Sequence, residues 1–313
     1  MTRAFVFPGQ GSQAVGMGRE LADAFPLARQ VFEEVDDSLR QNLTRLMFEG
    51  PDNELILTEN AQPALMAVSL AVMRVLEKEG GVSPAAHARF VAGHSLGEYS
   101  ALAAAGALSL ADVAWLLKTR GWAMQKAVPV GMGGMAALLG LDLDVCHDVA
   151  IKAAQGEICT AANDNAPQQV VVSGHMTAVA RAVALAAECG AKRSIMLPVS
   201  APFHCALMEP AAVAMAEAFG RVVFNRPAVP LVANVTAEAV EDPAVIRRLL
   251  VEQITAAVRW RESVLYMKDQ GVTELVEIGA GKVLTGLTKR ISREMSCIAI
   301  NGPRDIEAFL KAL

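Results

Sequence analysis

The stretch Arg89 to Ala105, RFVAGHSLGEYSALAAA, constrains this chain more than any other. Phe90-Val91-Ala92 reads as a short buried strand, and the run after Gly97 reads as a helix. Between them stands Gly93-His94-Ser95-Leu96-Gly97, a G-x-S-x-G sequence in a strand–turn–helix setting. The two glycines allow a sharp turn without a Cβ clash. Ser95 is then held at the tip, at a helix N-terminus whose free N–H groups face negative charge. A serine placed there can be a nucleophile, with the N–H of Leu96 positioned to stabilise an oxyanion.

A strand that feeds a helix through a tight turn points to an α/β fold. Of the 313 residues, 53% are hydrophobic and 19% charged, so a sizeable core is expected and disorder is not. No uninterrupted apolar run reaches about 18 residues, so no transmembrane helix is expected. The apolar stretch before Pro8 is too short for a secretory signal. The five cysteines are scattered and form no C-x-x-C pair, so neither a disulfide framework nor a zinc site is expected, and a cytoplasmic location fits. A net charge of −5 argues against general nucleic-acid binding.

Ala4 to Phe7 reads as a buried strand that runs into Pro8-Gly9-Gln10-Gly11, a tight loop. That loop either turns the chain or supplies a backbone N–H to a site. Helical periodicity covers Arg19 to Leu46, broken near Pro26. Thr58 or Asn60 can cap the next helix, which places Pro63 in its first turn. Ser109 caps a helix to about Ala127, and Arg120 lies in it. Arg120 reads first as a surface arginine. The alternative is a guanidinium turned inward to hold a carboxylate through parallel hydrogen bonds.

From about Pro129 to Pro198 the pattern changes. Met135–Leu139, Ile158–Ala162, Val170–Ser173 and Lys192–Leu197 read as strands. Asp142–Ala154 and Thr177–Cys189 read as helices, and Asn163 to Pro167 as a turn cluster. The order is βαββαβ, the split-βαβ pattern of a ferredoxin-like domain. The expected organisation is a larger domain over 1–128 and 199–313, with a small domain inserted at 129–198.

Pro198-Val199-Ser200-Ala201-Pro202-Phe203-His204-Cys205 follows the insert. His204 can take the serine proton and return it to a leaving group. Cys205 has no activating surroundings and is expected to pack. No acid between Ser95 and His204 stands out as a triad member, so a backbone carbonyl can orient His204 instead. Leu231 to Val235 reads as a strand. Gly279-Ala280-Gly281-Lys282 lacks the spacing of a phosphate loop and reads as a strand–turn–helix junction.

Four segments in this order, FVFPGQGSQ, GHSLGEYSA, Lys118 to Gly121 and PVSAPFHC, resemble the malonyl-CoA:acyl-carrier-protein transacylases of fatty-acid synthesis. VEQITAAVRW, which holds Gln253, resembles the family's segment at its place. The resemblance implies an α/β-hydrolase-like core with a mostly parallel sheet and a ferredoxin-like insert. It implies Ser95 as nucleophile, His204 as base and acid, and the N–H groups of Gln10 and Leu96 as the oxyanion hole. Arg120 would hold the malonyl carboxylate, and the Gln253 carbonyl would hold the His204 ring. Gln62 and Phe203 would line the pocket. The substrates would be malonyl-CoA and acyl carrier protein; no cofactor or metal is implied, and a monomer without membrane or nucleic-acid partners is expected. Lys192, Arg193, Lys282, Lys289, Arg290 and Arg293 are candidates for docking an acidic carrier. A serine hydrolase or thioesterase, a polyketide-pathway acyltransferase and a non-catalytic carrier-binding module remain the competing readings.

Overall fold

The computed structural model describes residues 1–313. Ten strands form two sheets: β1 (Arg3–Phe7), β2 (Phe90–Gly93), β3 (Gly133–Leu139), β4 (Cys159–Ala166), β5 (Gln169–His175), β6 (Arg193–Met196), β7 (Leu231–Val232), β8 (Ala239–Val240), β9 (Glu274–Ile278) and β10 (Ser296–Ile300). The first sheet has the order β10-β9-β1-β2-β7-β8. All its pairings are parallel except β7 with β8. Helices cover both faces of its centre, which is why Ala4 to Phe7 are apolar without alternation and fully buried. The C-terminal ends of β1, β2 and β7 lie side by side, and the loops leaving them meet there.

The second sheet has the order β4-β5-β3-β6 and is antiparallel throughout. Side-chain alternation gives it two apolar faces. Ala136, Leu138, Val170 and Val172 pack beneath the helices Leu143–Ala154 and Met176–Glu188. Met135, Ala137 and Val171 join the large core shared with the first sheet. The βαββαβ order expected from periodicity is present.

The expected turn at Asn163 to Pro167 is not. Strand β4 continues through Ala166, and Pro167-Gln168 make the turn. Two register shifts let these polar residues stay in the strand while its edge bonds to another loop. Asp164 N–H donates to Val258 O at 3.0 Å, and Val258 N–H donates to Ala162 O at 2.9 Å. Asp164 also pairs with Arg261 at 2.8 Å. The polar run is therefore the seam between the two sheets.

Two further boundaries differ. Helix Thr58–Gly80 begins at Thr58, with Leu57 as its N-cap, so Pro63 lies beyond the first turn. Thr58 does not cap; its hydroxyl donates to the Gln10 side chain. The strand after Pro230 stops at Val232, because the chain turns back into β8. The junction after β9 is strand–turn–helix as expected. Buried Glu277 accepts from the N–H groups of Leu284 and Thr285 at 2.9 and 2.7 Å, and so caps helix Val283–Ile291 from the neighbouring strand. No helix is long and apolar enough to cross a membrane.

The elbow glycines are required by contact rather than by backbone angle. A Cβ on Gly93 would stand 1.9 Å from Gly97 C, and one on Gly97 would stand 2.2 Å from Phe7 O. Gly286 faces open space within a helix. Gly97→Ala should destabilise the protein by about 1–3 kcal/mol or more, whereas Gly286→Ala should stabilise it by about 0.5–1 kcal/mol. Chemical denaturation of the two variants checks the contrast; equal effects would mean that the helix does not press on β1 as described.

Candidate active site

The turn between β2 and helix Gly97–Ala104 holds Ser95 at φ 53°, in the left-handed region that a serine seldom adopts. Asn234, just past β7, fixes it there. Ser95 N–H donates to Asn234 Oδ1 at 2.8 Å, and Asn234 Nδ2 donates to Gly93 O at 2.6 Å. One amide thus bridges the residues before and at the tip. Because the Ser95 N–H is occupied, the donors left for a ligand are its neighbours. The backbone N–H groups of Gln10 and Leu96 donate to no group in the chain, and both residues line the cavity at this end of the sheet.

His204 lies in the loop before the short turn Ala206–Met208. Its Nε2 is 2.8 Å from Ser95 Oγ, and its Nδ1 is 2.8 Å from the Gln253 carbonyl. A carbonyl can only accept, so Nδ1 carries the proton and Nε2 presents its lone pair to the serine hydroxyl. Burial, with the positive charge of Arg120 as the next cause, pushes the imidazole down to about 3. The resting imidazole is neutral.

Arg120 projects from helix Leu110–Ala127 and is only 1% exposed, which overturns the surface reading. The physical reason is that the chain supplies polar partners inside. Nη1 donates to Gln62 Oε1 at 2.7 Å; Nη2 donates to Gln253 Oε1 at 2.9 Å and to Ser95 Oγ at 3.1 Å. The guanidinium lies 5.6 Å from the Tyr99 ring centroid. Gly121 makes room for this helix, since a Cβ there would stand 2.5 Å from Glu59 Cα.

The cavity measures about 250 Å³. Ser95, His204, Arg120, Gln10, Leu96, Gln62 and Phe203 line it from the first-sheet side, and Met135, Asn163 and Leu197 from the other. Gln253 stands behind it, fully buried. The fold therefore brings together all eight residues singled out in the sequence. His94 stays apart from the Ser95–His204 pair, bonded through Nε2 to Asn165 Oδ1 at 2.8 Å. Cys205 is buried, with its thiol pushed up by desolvation, as befits a packing residue. The six basic residues considered for carrier docking are all exposed.

Two residues of the site were missed. Asn234 looked like one more strand residue, and only its place beside β2 reveals it. Glu98, three residues past the serine, is buried with its carboxylate against Gln253 and Asn234. Burial pushes it up to about 7, and those hydrogen bonds and Arg120 pull the other way.

The His204 environment is directly testable. In a histidine NMR titration, assigned by comparison with His204→Ala, the ring should remain neutral from pH 8 to about pH 5. A transition near the ordinary 6.5 would contradict the burial described. The sign for stability follows: below 6.5 the unfolded chain takes up this proton and the folded chain does not, so the group erodes stability down to about 3.

Comparison with known proteins identifies the family. Residues 4–312 match the acyl transferase domain family. The malonyl CoA-acyl carrier protein transacylase of Bacillus subtilis strain 168 is 46% identical over 311 residues, covering 99% of this chain and 96% of that protein. The transacylase of Escherichia coli K12 is 46% identical over 308 residues, covering 98% of each. The crystal structure of acyl-carrier-protein-S-malonyltransferase from Bartonella henselae superposes with a TM-score of 0.97 at 52% identity, covering 100% of this chain and 99% of that one. A malonyl-transacylase solved in complex with its type II PKS acyl-carrier protein gives 0.97 at 43% identity, with both chains fully covered. The chain belongs to the malonyl CoA-acyl carrier protein transacylase family of acyl transferases.

Proposed function

We propose that this protein transfers the malonyl group from malonyl-CoA to the phosphopantetheine thiol of acyl carrier protein, through an ester on Ser95. The observation that carries the reading is a buried arginine within hydrogen-bond distance of the nucleophile. A hydrolase acting on plain acyl thioesters has no use for a desolvated cation beside its serine. A carboxylated acyl group does, because the guanidinium offers five N–H donors in a planar fork and three bonds from it serve neutral partners.

The chemistry is a double displacement. As Ser95 Oγ attacks the thioester carbonyl, its proton passes to His204 Nε2. The carbonyl oxygen becomes an oxyanion held by the N–H groups of Gln10 and Leu96. Collapse breaks the carbon–sulfur bond, and His204 returns the proton to the departing thiolate of coenzyme A. The carrier thiol then gives its proton to His204 and attacks the ester, and the second oxyanion collapses to release Ser95. No net proton or electron is consumed. A base held as low as His204 becomes an imidazolium only while the oxyanion stands beside it. The Gln253 carbonyl stabilises that cation and takes the place of a triad acid.

Arg120 sets the acyl class. An acetyl group lacks the carboxylate and leaves the buried charge without its partner. Phe203 narrows the pocket against an α-branch, where one methyl group is worth roughly 1–3 kcal/mol. The cavity holds an acyl group and its thioester, not a whole coenzyme A, whose nucleotide must lie outside. Gln62 holds the guanidinium in place.

In the same reading, residues 1–128 and 199–313 form an α/β-hydrolase-like catalytic domain. Residues 129–198 form a ferredoxin-like insert that closes one side of the cavity. No cofactor takes part, the protein acts as a monomer, and the five free thiols suit a reducing cytoplasm. The malonyl carrier it loads serves fatty-acid elongation.

The test is acyl transfer from a panel of acyl-CoAs to carrier protein, with free acid counted alongside. Wild type should load malonyl far faster than acetyl and release little free acid. Arg120→Ala should lower kcat/KM for malonyl-CoA by about 100-fold or more and lose preference over acetyl. Undiminished malonyl loading by Arg120→Ala, or free acid as the main wild-type product, would refute the reading.

A further inference from the structure

The proton path and the carboxylate clamp leave one buried charged group without a task. Glu98 is 1% exposed, and no step above uses it. Its Oε2 accepts from Gln253 Nε2 at 2.7 Å and from Asn234 N–H at 3.3 Å. The same Gln253 nitrogen donates to the Ser95 carbonyl at 3.0 Å and lies 3.3 Å from Asn234 Oδ1. With Glu98 ionised, everything on that side of the amide is an acceptor. The amide oxygen therefore turns the other way, where it accepts from Arg120 Nη2 at 2.9 Å. Rotating the amide by half a turn would set its oxygen against the Glu98 carboxylate and its NH₂ against the guanidinium, repulsive at both ends.

Charge balance points the same way. Arg120 is bonded to Gln62, Gln253 and Ser95 and lies by the Tyr99 ring, all of them neutral. Its side chain has no salt-bridge partner. Once ionised, above about pH 7, the Glu98 carboxylate one amide away supplies negative charge that offsets the guanidinium. The offset acts through a neutral spacer, so it leaves the face of Arg120 towards the cavity available to a carboxylated ligand.

We propose that Glu98 is a positioning residue for acyl selectivity: its carboxylate locks the Gln253 side-chain amide, and that amide fixes Arg120 beside Ser95. The proposal rests on Arg120 being the carboxylate clamp. It assigns Gln253 two separable tasks. Its backbone carbonyl orients His204, and its side chain relays Glu98 to Arg120.

The experiment compares kcat and KM for malonyl- and acetyl-CoA loading in wild type, Glu98→Gln, Gln253→Leu, Glu98→Asp and Arg120→Ala, with folding checked by thermal melting. Gln253→Leu removes the relay and keeps the carbonyl. Glu98→Gln and Gln253→Leu should each cut the malonyl-over-acetyl ratio of kcat/KM by roughly 10- to 100-fold. The double variant should be no worse than either single one, because the two act in series. Glu98→Asp, which keeps the charge, should recover part of the ratio. A wild-type ratio in folded Glu98→Gln or Gln253→Leu, with Arg120→Ala still unselective, would overturn the proposal and leave the clamp intact. A wild-type ratio in Arg120→Ala would instead overturn the clamp. Should Glu98→Gln fail to fold, Gln253→Leu decides alone.

Discussion

A guanidinium removed from water must be solvated by the protein, and the surroundings of Arg120 are arranged to do so. Helix Leu110–Ala127 reaches the cavity because Gly121 lets it approach helix Thr58–Gly80. That approach sets Gln62 against the cation, and Gln62 in turn donates to Thr58, which donates to Gln10. The chain of side-chain bonds thus runs from Arg120 to the loop that holds Gln10. On its other side, Arg120 reaches Gln253, whose carbonyl holds His204. Arg120, Ser95 and His204 therefore share one hydrogen-bond network through Gln253.

The serine elbow supplies the second constraint. Ser95 is held in a strained backbone conformation, and the surrounding structure has to over-determine it. Gly93 and Gly97 let strand, turn and helix come within contact of each other and of β1. Asn234 then staples the tip from the neighbouring strand end. The result is a hydroxyl that donates to His204 and accepts from Arg120 before substrate arrives. In the proposed reaction such preorganisation removes reorganisation from the barrier. The second sheet contributes a wall rather than chemistry. Met135 and Asn163 line the cavity, while the bulged polar run of β4 fastens that wall to the loop after Gln253.

Much of this was legible in the sequence. The elbow and the loop histidine have local signatures, because a nucleophile needs a tight turn and its base needs an ordered, non-repetitive loop. The strand and helix order of the second sheet followed from apolar periodicity, whereas the two-residue edge strand β8 of the first sheet gave no such signal. The misreadings share one cause: tertiary contact overrode local preference. Arg120 resembles a surface arginine because its helix shows only that apolar residues flank it; its partners lie far away in sequence. Asn163 to Pro167 has the composition of a turn, yet it pairs as a strand because Val258 offers its edge a partner. Glu98 and Asn234 carry no sequence signal at all. Their place depends on β2 and β7 being neighbours, which no local pattern states.

The central claim is that Ser95, poised between His204 and Arg120, carries the malonyl group as an ester. Intact-mass measurement after mixing the protein with malonyl-CoA and no carrier tests it most directly. A single adduct of about 86 Da should form, vanish on adding carrier protein with its phosphopantetheine thiol, and be absent from Ser95→Ala. An adduct that persists in Ser95→Ala, or carrier loading by that variant at the wild-type rate, would contradict the account.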